Sequence, residues 1–115
     1  SQQPDTDAEN CERWLHEGDK IARRFVMIAE RLVTLEPENP RAHLALCKAH
    51  SQIAKQAWAR DVEILAIQNM YRALAETRKA HELDPEYSIA QNEVTDLEGR
   101  LRKNGYDPNS PPPRE

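Results

Sequence analysis

The feature that most constrains this chain is a short motif that occurs twice. Leu35-Glu36-Pro37-Glu38 is followed by Ala42, and Leu83-Asp84-Pro85-Glu86 is followed by Ala90 at the same spacing. Each copy lies between two amphipathic helical segments. Proline lacks an N–H group and restricts the residue before it, so a helix cannot continue through either copy. The two copies therefore predict corners between helices. They are 48 positions apart, and a period of this order built of helix pairs indicates a helical repeat architecture.

Apolar spacing predicts one short helix and one longer helix before the first corner. The short helix covers residues 8–17 and ends in a turn at Gly18-Asp19, because glycine tolerates a turning backbone. The longer helix covers about residues 20–35, and one apolar face is expected to be buried. That face consists of Ile21, Ala22, Phe25, Ile28, Ala29, Leu32 and Leu35.

Three further helices are predicted after the first corner. One begins at Pro40, where a first-turn proline is favourable, and breaks near residues 58–61, with Asp61 capping the next helix. The last covers about residues 88–103 and is closed by Asn104-Gly105. Its inward residues are expected to be Ala90, Val94, Leu97 and Leu101. The helical domain thus spans 8–104, between a flexible N-terminus (1–7) and a proline-rich tail (105–115) that is expected to be extended and frayed.

Composition excludes several classes of protein. A chain of 115 residues suits one domain. The net charge is −4, and the 16 basic residues are mixed among 20 acidic ones, so no basic patch for nucleic acid is visible. No apolar run approaches the roughly 18 residues that span a bilayer, and we expect a soluble protein. A cytoplasmic location is slightly favoured over a secreted or periplasmic one, because two cysteines are ordinary in the cytosol.

Residues around both corners resemble the tetratricopeptide repeat, a helix pair of about 34 residues. The first-helix positions that this family fills with aromatic, leucine and small residues fall on His43, Leu46, Cys47 and His50, and its alanine positions before the second corner fall on Ala73 and Ala80. A looser match before the first corner involves Trp14, Gly18, Phe25, Leu32 and Leu35, and Val94 and Thr95 continue the pattern. The resemblance implies an all-α, right-handed solenoid of antiparallel helix pairs, with about two repeats and a C-terminal capping helix.

The first helix of each pair lines a concave groove in tetratricopeptide proteins. Carried over, these positions are Arg41, Leu44, Lys48, Ser51 and Gln52 in the second repeat, and Ile89, Asn92, Asp96, Gly99 and Arg100 in the last helix. The resemblance therefore implies a non-catalytic adaptor or scaffold that binds a peptide or protein segment. A merely solvated face is the alternative. The Leu44-Ala45 pair lacks the lysine and asparagine with which some members clamp chaperone tails.

One departure from the family is large. Pro37 and Pro85 are 48 positions apart, and the excess over the family period lies between Ile53 and Ala73. We therefore expect an extended second pair that projects as a hairpin. Its tip carries Trp58, Val62, Ile64 and Leu65. These residues either close the hairpin on itself or form a contact with a partner or a second copy, which makes a self-associating structural module within a larger assembly the competing function.

Candidate chemistry is sparse. His43, Cys47 and His50 share one helix face, which suggests a zinc or haem site. His43 and His50 are, however, about 10 Å apart along the helix, too far to bind one ion easily. The three residues therefore fit packing positions between helices better. Cys11 and Cys47 are most simply buried small residues, and a disulfide between them is the minor alternative. The sequence contains no catalytic triad, phosphate loop or supported carboxylate pair. We therefore expect neither an enzyme nor a cofactor.

Overall fold

The computed structural model describes the backbone of residues 7–114 and the side chains of Arg13 and residues 16–114. It confirms the all-α fold class. The four helices are α1 (Asp7–Leu35), α2 (Pro40–Ala59), α3 (Glu63–Leu83) and α4 (Ser88–Lys103), and the described residues contain no strand. Each helix packs mainly against the next one along the chain. This order of packing is consistent with a helical-repeat fold, in which neighbours supply most contacts.

The two repeated motifs form matching corners, as predicted. The N–H groups of Glu36 and Asp84 donate to the carbonyl four residues earlier, at 2.8 and 3.0 Å. Three residues later, the N–H groups of Asn39 and Tyr87 donate to the carbonyls of Glu36 and Asp84, at 3.1 and 3.0 Å. Asn39 also accepts a hydrogen bond from the N–H of Arg41 through its side chain and caps α2. Both corners thus end one helix and begin the next within four residues.

The turn predicted at Gly18-Asp19 is wrong, because α1 is one helix of 29 residues. Gly18 lies where α1 and α2 approach closely, and a Cβ atom there would be 2.8 Å from Nε2 of Gln56. The glycine therefore permits close helix packing instead of a turn. From Asp7 onward, a single helix and not a helix pair precedes the first corner.

The α2–α3 connection falls where the sequence predicted it, between Ala59 and Glu63. The predicted cap is wrong: the N-cap of α3 is Val62, without a side-chain hydrogen bond, and Asp61 adopts a left-handed backbone with φ of 61°. The tip of the α2–α3 hairpin was expected to project, but one side of it lies beside α1. Nη1 of Arg60 lies 4.0 Å from Oδ2 of Asp19, because the continuous α1 reaches this end of α2.

The main core lies among α2, α3 and α4, and a smaller one lies between α1 and α2. The largest fully buried side chains of the described residues are Ile67, Leu74, Leu101, Thr77 and Cys47. On α4, Ala90, Leu97 and Leu101 are buried as predicted, and Val94 packs against the core while partly exposed. On α1, the expectation of a single buried face is wrong. Ala22 and Ala29 are buried against α2, whereas Ile21, Ile28 and Leu35 are exposed.

The C-terminal tail is packed on α3, so the expectation of a frayed C-terminus is wrong. Gly105 closes α4 as predicted, with φ of 86°. A third acid-proline turn follows, in which the N–H of Ser110 donates to the carbonyl of Asp107 at 3.1 Å. Tyr71 then donates to the Asp107 carbonyl at 2.6 Å, and Gln68 donates to the Pro113 carbonyl at 3.1 Å. The predicted flexible N-terminus lies outside the described residues except for Asp7, where α1 begins.

Candidate protein-binding groove

A groove of about 720 Å³ runs between α2 and α4. Ala54 of α2, Met70 of α3 and Leu97 of α4 form an apolar floor, and Trp58 stands at one end. The floor belongs to the main core, since Ala54, Met70 and Leu97 are each buried there. A cleft of this volume with an apolar base is in the range that binds small molecules or a few side chains of a peptide.

The structure brings five of the predicted groove residues together around this cleft. They are Lys48, Ser51 and Gln52 from α2 and Asp96 and Arg100 from α4. These residues lie along the edges of the groove, one set on each side of the apolar floor.

The other five predicted residues lie elsewhere. Arg41 on α2 is exposed outside the groove lining, and so are Ile89, Asn92 and Gly99 on α4. Leu44 is only 5% exposed and belongs to the main core. Its predicted contact with a partner is therefore wrong, because the side chain is already covered by the neighbouring helices.

The rim of the groove is mostly basic although the chain as a whole is acidic. Lysines and an arginine line it at four positions, namely Lys48, Lys55, Arg100 and Lys103, and Glu93 and Asp96 are the acidic groups of the lining. Nε of Arg100 lies 3.0 Å from Oδ2 of Asp96, so that carboxylate is paired within the rim. The remaining positive charge favours an acidic ligand.

Sequence reasoning missed Lys55, Lys103 and the place of Trp58 in the groove. A signal was present in helical spacing. Lys48, Gln52 and Lys55 recur at i, i+4 and i+7 on α2, and Asp96, Arg100 and Lys103 recur at the same spacing on α4. Residues at these intervals share one helix face. A polar stripe on each of two helices thus marks the two sides of the groove.

Beneath the groove edge, Cys47 is fully buried. Burial, with a smaller effect from the Glu93 carboxylate, raises the pKa of its thiol to about 12. The thiolate is the nucleophilic form of cysteine, so this side chain offers no nucleophile near neutral pH. The thiol of Cys47 is free in the structure, and the side chain of Cys11 lies outside the described residues.

His43, Cys47 and His50, the candidate metal ligands of the sequence, lie at the α2–α3 interface. Nδ1 of His43 lies 2.8 Å from Oε1 of Glu76, and its Nε2 lies 2.7 Å from the Pro37 carbonyl. Nδ1 of His50 lies 3.2 Å from Oδ1 of Asn69. Burial lowers the pKa of His50. Among the described residues, no group of three His, Cys, Asp or Glu side chains is arranged to hold a metal ion.

The residues proposed for self-association lie around the α2–α3 connection. Trp58, Val62 and Ile64 are exposed, and Leu65 is half-buried. Trp58 also lines the groove, so one side chain belongs to both surfaces. The exposed aliphatic atoms of this tip form a small apolar patch beside the groove.

Comparisons with known proteins found no relative of this chain. No family model, no curated protein and no solved structure matches it. The resemblance to the tetratricopeptide repeat therefore stays a prediction. None of the helices within residues 7–114 has both the length and the hydropathy that a membrane crossing requires.

Proposed function

We propose that this protein is a non-catalytic protein-interaction module, an adaptor or scaffold that binds a peptide or protein segment in the α2–α4 groove. The observation that carries the proposal is the joint placement of Lys48, Ser51, Gln52, Asp96 and Arg100 around one apolar-floored cleft. The sequence pattern predicts all five as groove residues. A tetratricopeptide-like groove is the arrangement that the proposal assumes.

The chemistry of the groove defines the segment that fits it. An apolar side chain can bury itself against the ring of Trp58, which is 38% exposed at one end of the groove. Acidic side chains on either side of that anchor can pair with Lys48 and Lys55 across the rim. The ligand class is therefore a segment with one or two apolar anchors flanked by Asp or Glu.

Quantitative co-purification with two charge-reversed baits tests the proposal. Lys48→Glu changes the groove rim, and Arg41→Glu makes the same charge change on the same helix but outside the groove lining. Proteins that bind through the groove should be depleted roughly tenfold on the Lys48→Glu bait and retained on the Arg41→Glu bait. Circular dichroism should show that both baits stay folded, because both side chains are exposed. Equal recovery on all baits would contradict groove binding.

A second candidate function is self-association through the tip, and the exposed Val62 and Ile64 favour it. Val62→Asp tests it cleanly, because Val62 is the N-cap of α3 and aspartate is a favourable capping residue. The folded variant should be monomeric while the wild type forms dimers in concentration-dependent light scattering. A wild type that stays monomeric at high concentration excludes this function.

A further inference from the structure

Helix α1 carries two apolar faces, of which only one is covered. Ala22 and Ala29 are buried, and Val26 and Val33 pack beside them in the core shared with α2. The second face consists of Ile21, Ile28 and Leu35, spaced seven residues apart and 65%, 68% and 70% exposed. A seven-residue apolar spacing is typical of a seam between two helices. We call these three residues the α1 ridge.

The internal repeat shows what normally covers this face. A shift of 48 positions, which superimposes the two corner motifs, places Ile21 on Asn69 and Ile28 on Glu76. On α3, these residues meet the preceding helix: Asn69 contacts His50 of α2, and Glu76 contacts His43 of α2. The α1 ridge therefore corresponds in the repeat to the surface of α3 that packs on α2. Because α1 is continuous from Asp7, its own residues 8–17 do not fold back to cover it.

The covering helix for α1 must differ chemically from α2. The α2–α3 contact at these positions is polar and uses two histidines, an asparagine and a glutamate. The α1 ridge offers isoleucine and leucine instead, so its partner must present apolar side chains at helical spacing. A partner helix that contacts α1 from Ile21 to Leu35 covers about 21 Å of the helix, which is about four turns.

Charge decides between a foreign helix and a second copy. Arg24 and Arg31 lie one turn from ridge residues along its solvent side, both are exposed, and neither forms an ion pair within the described chain. Lys20 adds a third positive charge on this side, and Glu17 is the acidic group at its start. Two α1 helices packed through this ridge would bring the arginines of both copies together, which is unfavourable.

We propose that the α1 ridge is a second docking surface, which binds an amphipathic helix of another protein, with an apolar stripe and acidic residues along its flank. This helix packs on α1 as α2 packs on α3. The site is independent of the groove, because no ridge residue lines that cleft.

Two model peptides of about 20 residues test this proposal. Both carry the same leucine and alanine stripe at helical spacing, and one has glutamate on its flank where the other has lysine. Titration followed by fluorescence anisotropy should show binding of the glutamate peptide to the wild type. Ile28→Glu should weaken it at least about tenfold, because a carboxylate then faces the apolar stripe. Arg24→Glu with Arg31→Glu should reverse the preference toward the lysine peptide.

The matched control is Ile89→Glu, the same substitution at an exposed isoleucine of α4 that is outside the ridge. It should leave peptide binding unchanged, and circular dichroism should show all variants folded, since each replaced side chain is exposed. Equal binding of the two peptides, or binding that Ile28→Glu does not weaken, would overturn the proposal. So would a wild-type dimer that Ile28→Glu converts to monomer, because the occupant would then be a second copy.

Discussion

The imidazole of His50 is half-buried between α2 and α3, and this burial lowers its pKa from the ordinary value near 6.5. The unfolded chain therefore binds a proton at His50 at a higher pH than the folded chain does. The resulting stability is fully present above about pH 6.5 and is lost as the pH falls toward the folded pKa. Urea unfolding between pH 8 and pH 5 should show this decrease in the free energy of unfolding.

The variant His50→Gln should be less stable overall but lose less stability over the same pH interval. The control is His16→Gln, the same substitution at an exposed histidine of α1. If the free energy of unfolding changed equally with pH in the wild type and in His50→Gln, the assignment of this dependence to His50 would be contradicted.

Cys47 gives a second prediction at the scale of one residue. Its thiol is buried and its pKa is raised to about 12, so it remains protonated at pH 8. In a Cys11→Ser background, iodoacetamide should modify Cys47 only as fast as the chain unfolds, and added urea should accelerate the reaction. Mass spectrometry follows the modification. A rate equal to that of a free thiol in native buffer would show that the side chain is accessible.

Among the elements, the two proline corners and the end of α4 were predictable, whereas the N-cap of α3 and the role of Gly18 were not. A helix must end at Pro37 and at Pro85 in any tertiary context, because tertiary contacts cannot restore the missing N–H group. Glycine serves either a turn or a close approach, and only the position of α2 beside Gly18 decides between them. The packed tail was missed for a related reason, since its partners on α3 lie 30 and 36 residues away in sequence.

Replacing Gly18 by alanine tests its role as an approach point within a helix. The new Cβ atom would meet only the end of the Gln56 side chain, which is flexible, and the Oε1 atom of Gln56 has no hydrogen-bond partner to lose. Helix propensity alone would stabilise the fold by about 0.5–1 kcal/mol, and we expect Gly18→Ala to gain less than this because the new Cβ atom must displace the Gln56 amide. Gly99→Ala on α4 is the comparison, because no atom lies within 4 Å of its Cβ position.

Chemical denaturation measures both glycine variants. A gain at Gly99 without one at Gly18 would mean that Gln56 cannot turn away from the new methyl group.

The attachment of the tail to α3 is testable through one hydroxyl group. Tyr71→Phe removes the hydrogen bond to the Asp107 carbonyl and should cost about 0.5–1.5 kcal/mol in the free energy of unfolding. In a chain that ends at Gly105, the same substitution should cost much less, because the acceptor is gone. This double-mutant cycle isolates the contact. An equal cost in both chains would show that the tail does not hold Tyr71.

At the scale of the whole molecule, the groove arises because α2 and α4 both pack on α3. Met70 of α3 therefore reaches the floor between them. The family pattern predicted which residues of α2 and α4 share an edge, but not how far the core extends. Leu44 precedes Lys48 by one turn and is covered, whereas Lys48 is exposed. Depth within the core depends on three helices at once, and a one-helix pattern does not contain that information.

The basic rim was also invisible from composition, because the charge of the whole chain is −4. Lys48 and Lys55 come from one helix, and Arg100 and Lys103 come from another. Only the packing of α2 and α4 on either side of α3 brings these charges to one cleft. The function of the molecule is therefore expected to reside in this surface and not in any single motif.

Site-specific photo-crosslinking tests the groove most directly. A photoreactive amino acid replaces the exposed Gln52 in the groove lining or, as a control, the exposed Arg41 outside it. Groove binding predicts that crosslinks in native extract form to a defined acidic segment from position 52, that position 41 gives none to that segment, and that adding Lys48→Glu removes them. The same partner captured equally from both positions, or captured from position 52 despite Lys48→Glu, would contradict the groove as the binding site.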